Sequence, residues 1–335
     1  YSSVSFKNTI YSLLFLISIS FVLLLIIFLK KEKFKKIIPF LILFLTIIEL
    51  FYLSLKYLPF SKKEYLFPKT PTTDFLQKNI DNYRVNTTSA IPANMWVPYG
   101  LSSPDGSDAT LPLLNFEYFS LLQISDFSST GQRAPIVNNH RSNLYQNFSI
   151  KYLLRQKISY LDDPEKQFTT VFDEGNMVIE ENKSLLPKIR FIDEIVFLQD
   201  KNDFKNSYSN IDFDKTAVIY LEDKKHFSNY KKCSNNNSNI NIIEDKNNTV
   251  IFNTSSECDG LVFISNSFFP GWQASIDNQK TKIFQTNHMF QSIFVPAGQH
   301  QVVLKYQPSN FKLAVSMAIF SSIILFIIYI YDRKK

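Results

Sequence analysis

The chain has 335 residues, 45% of them hydrophobic, and 36 basic against 30 acidic residues leave a net charge of +6. So small and dispersed an excess argues against a nucleic-acid partner and fits lysines in cytoplasmic loops and on solvated faces. Seven glycines and four scattered histidines supply neither a Gly-rich phosphate loop nor a metal-ligand cluster.

In chain order, two apolar runs come first, Ile10 to Leu29 and Ile37 to Leu58, and a third, Leu313 to Tyr331, closes the sequence. Each covers about 20 residues, and a helix of that length spans roughly 30 Å, the hydrocarbon thickness of a bilayer. The lipid bilayer is thus the first expected partner. Lys30, Lys31, Lys33, Lys35 and Lys36 crowd the link between the first two runs, and Arg333, Lys334 and Lys335 follow the last. The positive-inside rule puts both on the cytoplasmic side and the large domain outside. The expected location is the bacterial cytoplasmic membrane, multi-pass. The sequence opens on Tyr1 with no charged leader, so upstream transmembrane helices are expected and the chain reads as the C-terminal part of something longer.

Pro59, Pro68 and Pro71 mark a linker. A short helix is expected at Phe75 to Asn79, capped by Thr72, Thr73 or Asp74, then a strand over residues 83–87. Residues 92–110, rich in Pro, Gly, Ser and Asp, read as an irregular loop. Leu113 to Ile124 is helical by spacing, Leu144 to Leu154 joins a helix to a strand, and residues 168–198 read as strands. From about residue 211 the period becomes two, with short strands and hairpin turns at Asp277-Asn278 and Ala297-Gly298, the pattern of a β-sandwich. The fold class expected is membrane α-helical spans plus an extracytoplasmic α+β region and an all-β sandwich. The divisions are 1–59, a two-span hairpin; 60–208, the α+β region; 209–308, the sandwich; and 309–335, the C-terminal transmembrane helix and cytoplasmic tail.

Several side chains invite a functional reading, each beside a plainer one. Glu49 lies inside an apolar run, where a carboxylate costs roughly 2.5–3.5 kcal/mol at mid-bilayer and belongs on a bundle interior or wet cavity. Trp96 and Tyr99 lie on the long loop with Asp105 and Asp108, placed to meet a substrate or to form turns. Arg84, Arg133 and Arg141 suit a phosphate by bidentate bonds, or a surface ion pair. Trp272 suits a sugar ring, or a packed corner of the sandwich. Cys233 and Cys258 flank an Asn/Ser-rich stretch; in an oxidising exterior a disulfide there would close a loop of about 25 residues, worth on the order of 3 kcal/mol.

Phe268-Phe269-Pro270-Gly271-Trp272, Asp277, Asn287, Val295-Pro296-Ala297-Gly298-Gln299-His300 and Tyr306-Gln307-Pro308 together resemble the C-terminal half of the YfhO-type bacterial membrane protein family. Ile179-Glu180-Glu181-Asn182 with Leu186-Pro187-Lys188, Glu49-Leu50 and Tyr83-Arg84-Val85 fit the same pattern. Asn278 stands where the family has a hairpin Gly, Lys188 where it has Arg, and Gln291 where it has Arg. The resemblance implies a GT-C-like membrane glycosyltransferase that takes sugar from a polyprenyl-phosphate carrier and adds it to an envelope glycan acceptor. Its catalytic carboxylate would lie upstream of this sequence. No other cofactor is identifiable. The substrate-binding candidates are Glu49, Trp96, Tyr99, Asp105 and Arg141; the rival expectation is an anchored, non-catalytic module that binds envelope carbohydrate or a partner protein.

Overall fold

The computed structural model describes residues 2–28, 37–57, 62–88, 90–107, 110–127, 137–228, 230 and 238–333. The chain forms two compact units, Tyr1–Pro68 and Lys69–Lys335.

The first unit holds helices α1 (Ser2–Phe28), α2 (Ile38–Tyr57) and the single turn α3 (Lys63–Leu66). α1 and α2 pack on one another, with the Tyr11 and Tyr52 rings 5.1 Å apart. Most large apolar side chains along both nevertheless stay exposed, Leu16, Phe21, Phe40 and Phe51 among them. The Ser18 hydroxyl donates to Leu14 O at 2.9 Å and Thr46 to Ile42 O at 3.0 Å. Such bonds one turn back leave no hydroxyl hydrogen seeking water on an apolar helix. The lysine-rich link at 30–36 lies outside the described residues.

The second unit begins with α4 (Pro71–Asn79). This helix starts ahead of the position expected from spacing, because Thr70 and Thr73 form a reciprocal capping box and Pro71 takes the first turn, where no amide hydrogen is needed. It lies on a four-stranded sheet of β1 (Arg84–Asn86), β2 (Ile150–Gln156), β3 (Phe168–Glu174) and β4 (Met177–Asn182), ordered β1-β2-β4-β3. Leu76, Val85, Leu154 and Ile179 are buried between them. Helix α5 (Leu113–Ile124) falls where its spacing predicts.

The sandwich begins before residue 209. Strands β5 (Ile189–Ile192) and β6 (Glu194–Leu198), assigned from sequence to the α+β region, belong to its six-stranded sheet. β5 pairs antiparallel with β10 (Gly260–Ser267), and β6 parallel with β7 (Thr216–Tyr220). Helix α6 (Lys201–Ser207) with its Asp200 cap makes the crossover between β6 and β7. Such long-range pairings leave no local signature, so the boundary drawn at a change of period falls too late.

The six-stranded sheet is completed by β13 (Ile283–Thr286) and β14 (Phe290–Val295), in order β5-β10-β14-β13-β7-β6. The five-stranded sheet comprises β8 (Asn239–Lys246), β9 (Thr249–Ser256), β11 (Trp272–Ile276), β12 (Gln279–Thr281) and β15 (Gly298–Tyr306), in order β12-β11-β15-β9-β8. Val250, Phe252, Val262, Ile264, Val302 and Leu304 fill the space between the sheets. Leu261, Phe263 and Phe290 point the other way, into a second core with Tyr118, Tyr145 and Phe148. Fully burying each such side chain contributes about 1.5–3 kcal/mol. Of the two expected hairpin turns, Asp277-Asn278 forms, joining β11 to β12 with φ of 48° and 68°, the left-handed pair that a two-residue turn requires; Ala297-Gly298, with Gly298 at φ 115°, is no hairpin but carries the chain from β14 in one sheet to β15 in the other.

From β15 the chain passes through Pro308 into α7 (Ser309–Arg333). Its 310–332 stretch, 23 residues, is the one helix among the described residues long and apolar enough to cross a membrane. The shorter apolar stretches are Thr9–Leu24 in α1 and Ile38–Tyr52 in α2. The 310–332 stretch is exposed throughout, and Ser316, Ser321 and Ser322 each donate to a carbonyl four residues back. Cys258 is disulfide-bonded; Cys233 lies outside the described residues.

Candidate functional site

Three of the short segments that carry the resemblance, far apart in sequence, border one cleft. Its volume is about 560 Å³. One wall is the turn that feeds β1, from Ile80 to Arg84, and the opposite wall is the β10–β11 link, with Asn266, Ser267, Phe269 and Trp272. Lys188, just before β5, and Asp245, at the β8–β9 hairpin, complete it. Each wall has a local cause. Tyr83 N donates to Ile80 O at 3.1 Å after Asp81 turns with a φ of 52°, and Ser265 N donates to Lys188 O at 2.8 Å.

Arg84 binds the walls together. Its Nη1 donates to Phe148 O and to Ser265 Oγ, both at 2.8 Å, and its Nη2 to Ser265 O at 2.5 Å and Asn266 Oδ1 at 3.3 Å. Burial lowers its pKa to about 10, against the opposing pull of Asp245. Lys188 pairs with Asp245, both side chains being largely buried. The Lys188 ammonium is pushed down first by burial and then by the positive charge of Arg84, with Asp245 opposing. The other charges at the rim are compensated: Asp81 by Lys151 at 2.7 Å, and Lys246 by Glu244 at 3.2 Å. The floor therefore holds two cations against one carboxylate. Asn115 lines this cleft and an adjoining cavity of about 370 Å³. Its Nδ2 donates to Ser267 Oγ at 2.8 Å, while its Oδ1 is buried with no hydrogen-bond partner.

The residues singled out from sequence do not assemble in one place. Glu49 is half-buried on α2. Trp96 is 4% exposed and packs in the core with Leu76, Ile80 and Leu101, with Tyr99 partly buried beside it. Asp105 is a latch, not an exposed base. It accepts Val137 N at 2.7 Å and Thr87 N at 3.2 Å, and burial raises its pKa against those bonds. Arg141 is exposed and pairs with Asp162 at 3.1 Å. Asp108 and Arg133 lie outside the described residues. The histidines are scattered in sequence, yet in the fold His288 Nε2 lies 2.9 Å from Glu117 Oε2 and its Nδ1 2.6 Å from Tyr220 OH. Their separation of 171 positions hides that pairing from any spacing argument. Among the described residues, no group of three or more His, Cys, Asp or Glu could hold a metal ion.

Trp272 is packed as a corner residue of the sandwich and also borders the cleft. It pairs across strands with Tyr306, ring centroids 5.6 Å apart. Gly271 makes that corner possible. At φ 109° an added Cβ would sit 2.9 Å from the Tyr306 ring and 3.3 Å from Pro308 Cα. Gln307 N donates to Gly271 O at 2.7 Å, so the aromatic-Pro-Gly-Trp segment grips the strand end that leads into α7.

No curated protein and no solved structure matches the chain. A match does exist to the family model described as bacterial membrane protein YfhO, over residues 201–318. It takes in α6, strands β7 to β15 and the first turns of α7, and contributes Asp245 and the Asn266–Trp272 wall to the cleft, whereas Arg84 and Lys188 precede it. Over that stretch the chain is similar to YfhO-type bacterial membrane proteins.

Proposed function

We propose that this chain is the C-terminal part of a polytopic membrane glycosyltransferase, one that moves sugar from a polyprenyl-phosphate carrier to a cell-envelope acceptor. On this reading α1, α2 and α7 all cross the bilayer and the sheet-bearing unit lies outside the cytoplasm. The observation that carries it is the cleft: two cations against one carboxylate, with Trp272 and Phe269 on its wall, in a unit whose last strand runs straight into an apolar helix. Positive charge suits a phosphoryl group, and aromatic faces suit a sugar ring. The full-length protein in liposomes, supplied with polyprenyl-phosphate sugars and envelope glycans, should transfer label to the glycan. Absence of turnover across donors and acceptors overturns the assignment.

A specific observation favours a second reading, a non-catalytic module that binds envelope carbohydrate. Both carboxylates lining the cleft, Asp81 and Asp245, are tied to lysines. Neither is then poised as a general base, which must be within reach of the acceptor proton. Glycan binding by the full-length protein without transfer would decide for this module.

A further inference from the structure

We infer that the cleft between the β1 turn and the β10–β11 link is a binding site for a phosphorylated sugar, with the phosphoryl group on Lys188 beside Arg84 and the sugar ring toward Trp272. The inference rests on the transferase reading only for the carrier lipid; the phosphoryl site stands on geometry and charge.

Arg84 and Lys188 lie near one another in the cleft lining with their charged groups largely buried, and Asp245 is the carboxylate paired there. Like charges that close repel, and burial penalises each. A phosphoryl group carries enough negative charge to relieve both. Arg84 has four of its guanidinium hydrogens committed to Phe148, Ser265 and Asn266, so it acts chiefly as a fixed charge. Lys188 is different. An ammonium has three donors, and the structure shows one bond, to Asp245, in addition to the Arg84 field. An incoming anion can take the remaining donors, but the negative charge of Asp245 repels it and offsets the ammonium's charge.

The rest of the cleft suits a sugar. Phe269 is 41% exposed and Trp272 half-buried on one wall, with Tyr83 across from them. The unpartnered Asn115 Oδ1 is an acceptor for a sugar hydroxyl, because a buried acceptor left unpaired is costly until a donor reaches it. The cleft volume of about 560 Å³ accommodates a sugar with its phosphate.

The opposition from Asp245 gives the proposal a signature that a purely structural ion pair lacks. The full chain in detergent would be titrated with glucose 1-phosphate, glucose and inorganic phosphate by calorimetry, with thermal melting recorded for every variant. Glucose 1-phosphate should bind at least about tenfold more tightly than either fragment, since its charge-assisted bonds add to the contacts of the sugar ring. Lys188→Gln should weaken it by about tenfold or more, whereas Asp245→Asn should strengthen it severalfold by removing that negative charge. If Lys188→Gln fails to fold, the Asp245→Asn arm decides alone. Equal affinity for glucose and glucose 1-phosphate, or unchanged or weaker binding to a folded Asp245→Asn protein, overturns the site. Vesicles carrying polyprenyl-phosphate glucose should displace bound glucose 1-phosphate. Failure to displace it overturns the lipid-linked source and leaves a soluble or glycan-borne sugar phosphate as the ligand. Phosphate-dependent binding without sugar transfer sinks the transferase reading and leaves the site standing.

Discussion

The six-stranded sheet of the sandwich is packed on both faces, whereas the five-stranded sheet presses one face on the core and shows much of the other to water. β10 accordingly reads as a buried run from Gly260 to Ser265, while β9 alternates inward Val250 and Phe252 with Ile251 and Asn253. The consequence is chemical. A doubly covered sheet has no water to turn to, so its polar groups must satisfy one another. Most do so, through Asn147, Ser265, Asn287 and the end of Arg190: Arg190 Nη2 reaches Asn147 Oδ1 at 3.2 Å and Phe213 O at 2.8 Å, and its guanidinium lies 4.1 Å from the Phe263 ring centroid, while Arg190 Nε and Gln291 Oε1 are buried without a partner. In the five-stranded sheet the demanding positions are corners, where backbone conformation and close contact decide. A fault in the first sheet should appear as an unsatisfied buried group, and a fault in the second as a steric or turn defect.

The sharpest test of the first half of that contrast is Asn287→Ala. Asn287 is fully buried with φ 46°. It replaces a strand residue in pairing with Val218, donating its backbone N to Val218 O at 3.0 Å and accepting Val218 N on Oδ1 at 2.8 Å, and its Nδ2 bonds Asn147 Oδ1 at 3.1 Å. Alanine leaves a buried amide hydrogen unpaired and loses the residue type that best tolerates the left-handed region. The expected destabilisation is about 4 kcal/mol, read from the urea midpoint. A loss under about 1 kcal/mol would mean that water reaches this face, and the contrast between sheets would fail.

Gly271→Ala tests the second half. The added methyl meets the Tyr306 ring at 2.9 Å in a conformation that side chains rarely adopt. The expected cost is about 3 kcal/mol, from strain and overpacking together. Because Tyr306 leads into α7, proteolysis should also speed up at the β15–α7 junction. Tyr306→Leu in the same chain should recover part of the loss by making room, a result that a pure backbone effect would not give.

How much of this was legible in sequence follows the same division. Strands of the singly covered sheet announce themselves by alternation, and the hairpin turn at Asp277-Asn278 falls where expected, whereas the turn expected at Ala297-Gly298 links the two sheets. β5 and β6 carry apolar residues without a clean period, and their partners are distant, so sequence reading assigned them to the wrong domain. The cleft was visible only in pieces. Arg84, Lys188 and Trp272 each stood out, but no local pattern joins them. Trp96 and Asp105 were drawn to notice by a loop rich in turn residues, yet the tryptophan is core and the carboxylate holds the backbone of Thr87 and Val137. Glu49 and the apolar helices were legible from composition alone.

The smallest effect expected concerns the clamp between the β11–β12 hairpin turn and the link from β14 to β15. His300 Nδ1 lies 2.6 Å from Asp277 Oδ2, and His300 Nε2 3.1 Å from Ala297 O. An imidazolium donates to both, whereas neutral imidazole donates to one. The bond to Asp277 first, then that to Ala297 O, raises the His300 pKa, and the bonds from His300 and Gln301 N lower that of Asp277. His300 therefore stabilises fully below its unfolded value of about 6.5 and loses that contribution as pH rises through its higher folded value. Asp277 contributes above its unfolded value of about 3.9 and loses it as pH falls through its lower folded value. The clamp is strongest between about pH 4 and 6.5. Burial lowers the pKa of both His140 and His288, so both work in the opposite sense, losing stability as pH falls. The whole-protein profile mixes these contributions, and only a difference against His300→Gln isolates the clamp. The gap in melting temperature between the parent and that variant should be wider near about pH 5.5 than near about pH 8.5. A gap that is constant or widens with pH would place the charge of His300 outside the energetics of this sheet, leaving its turns to be held by backbone conformation alone.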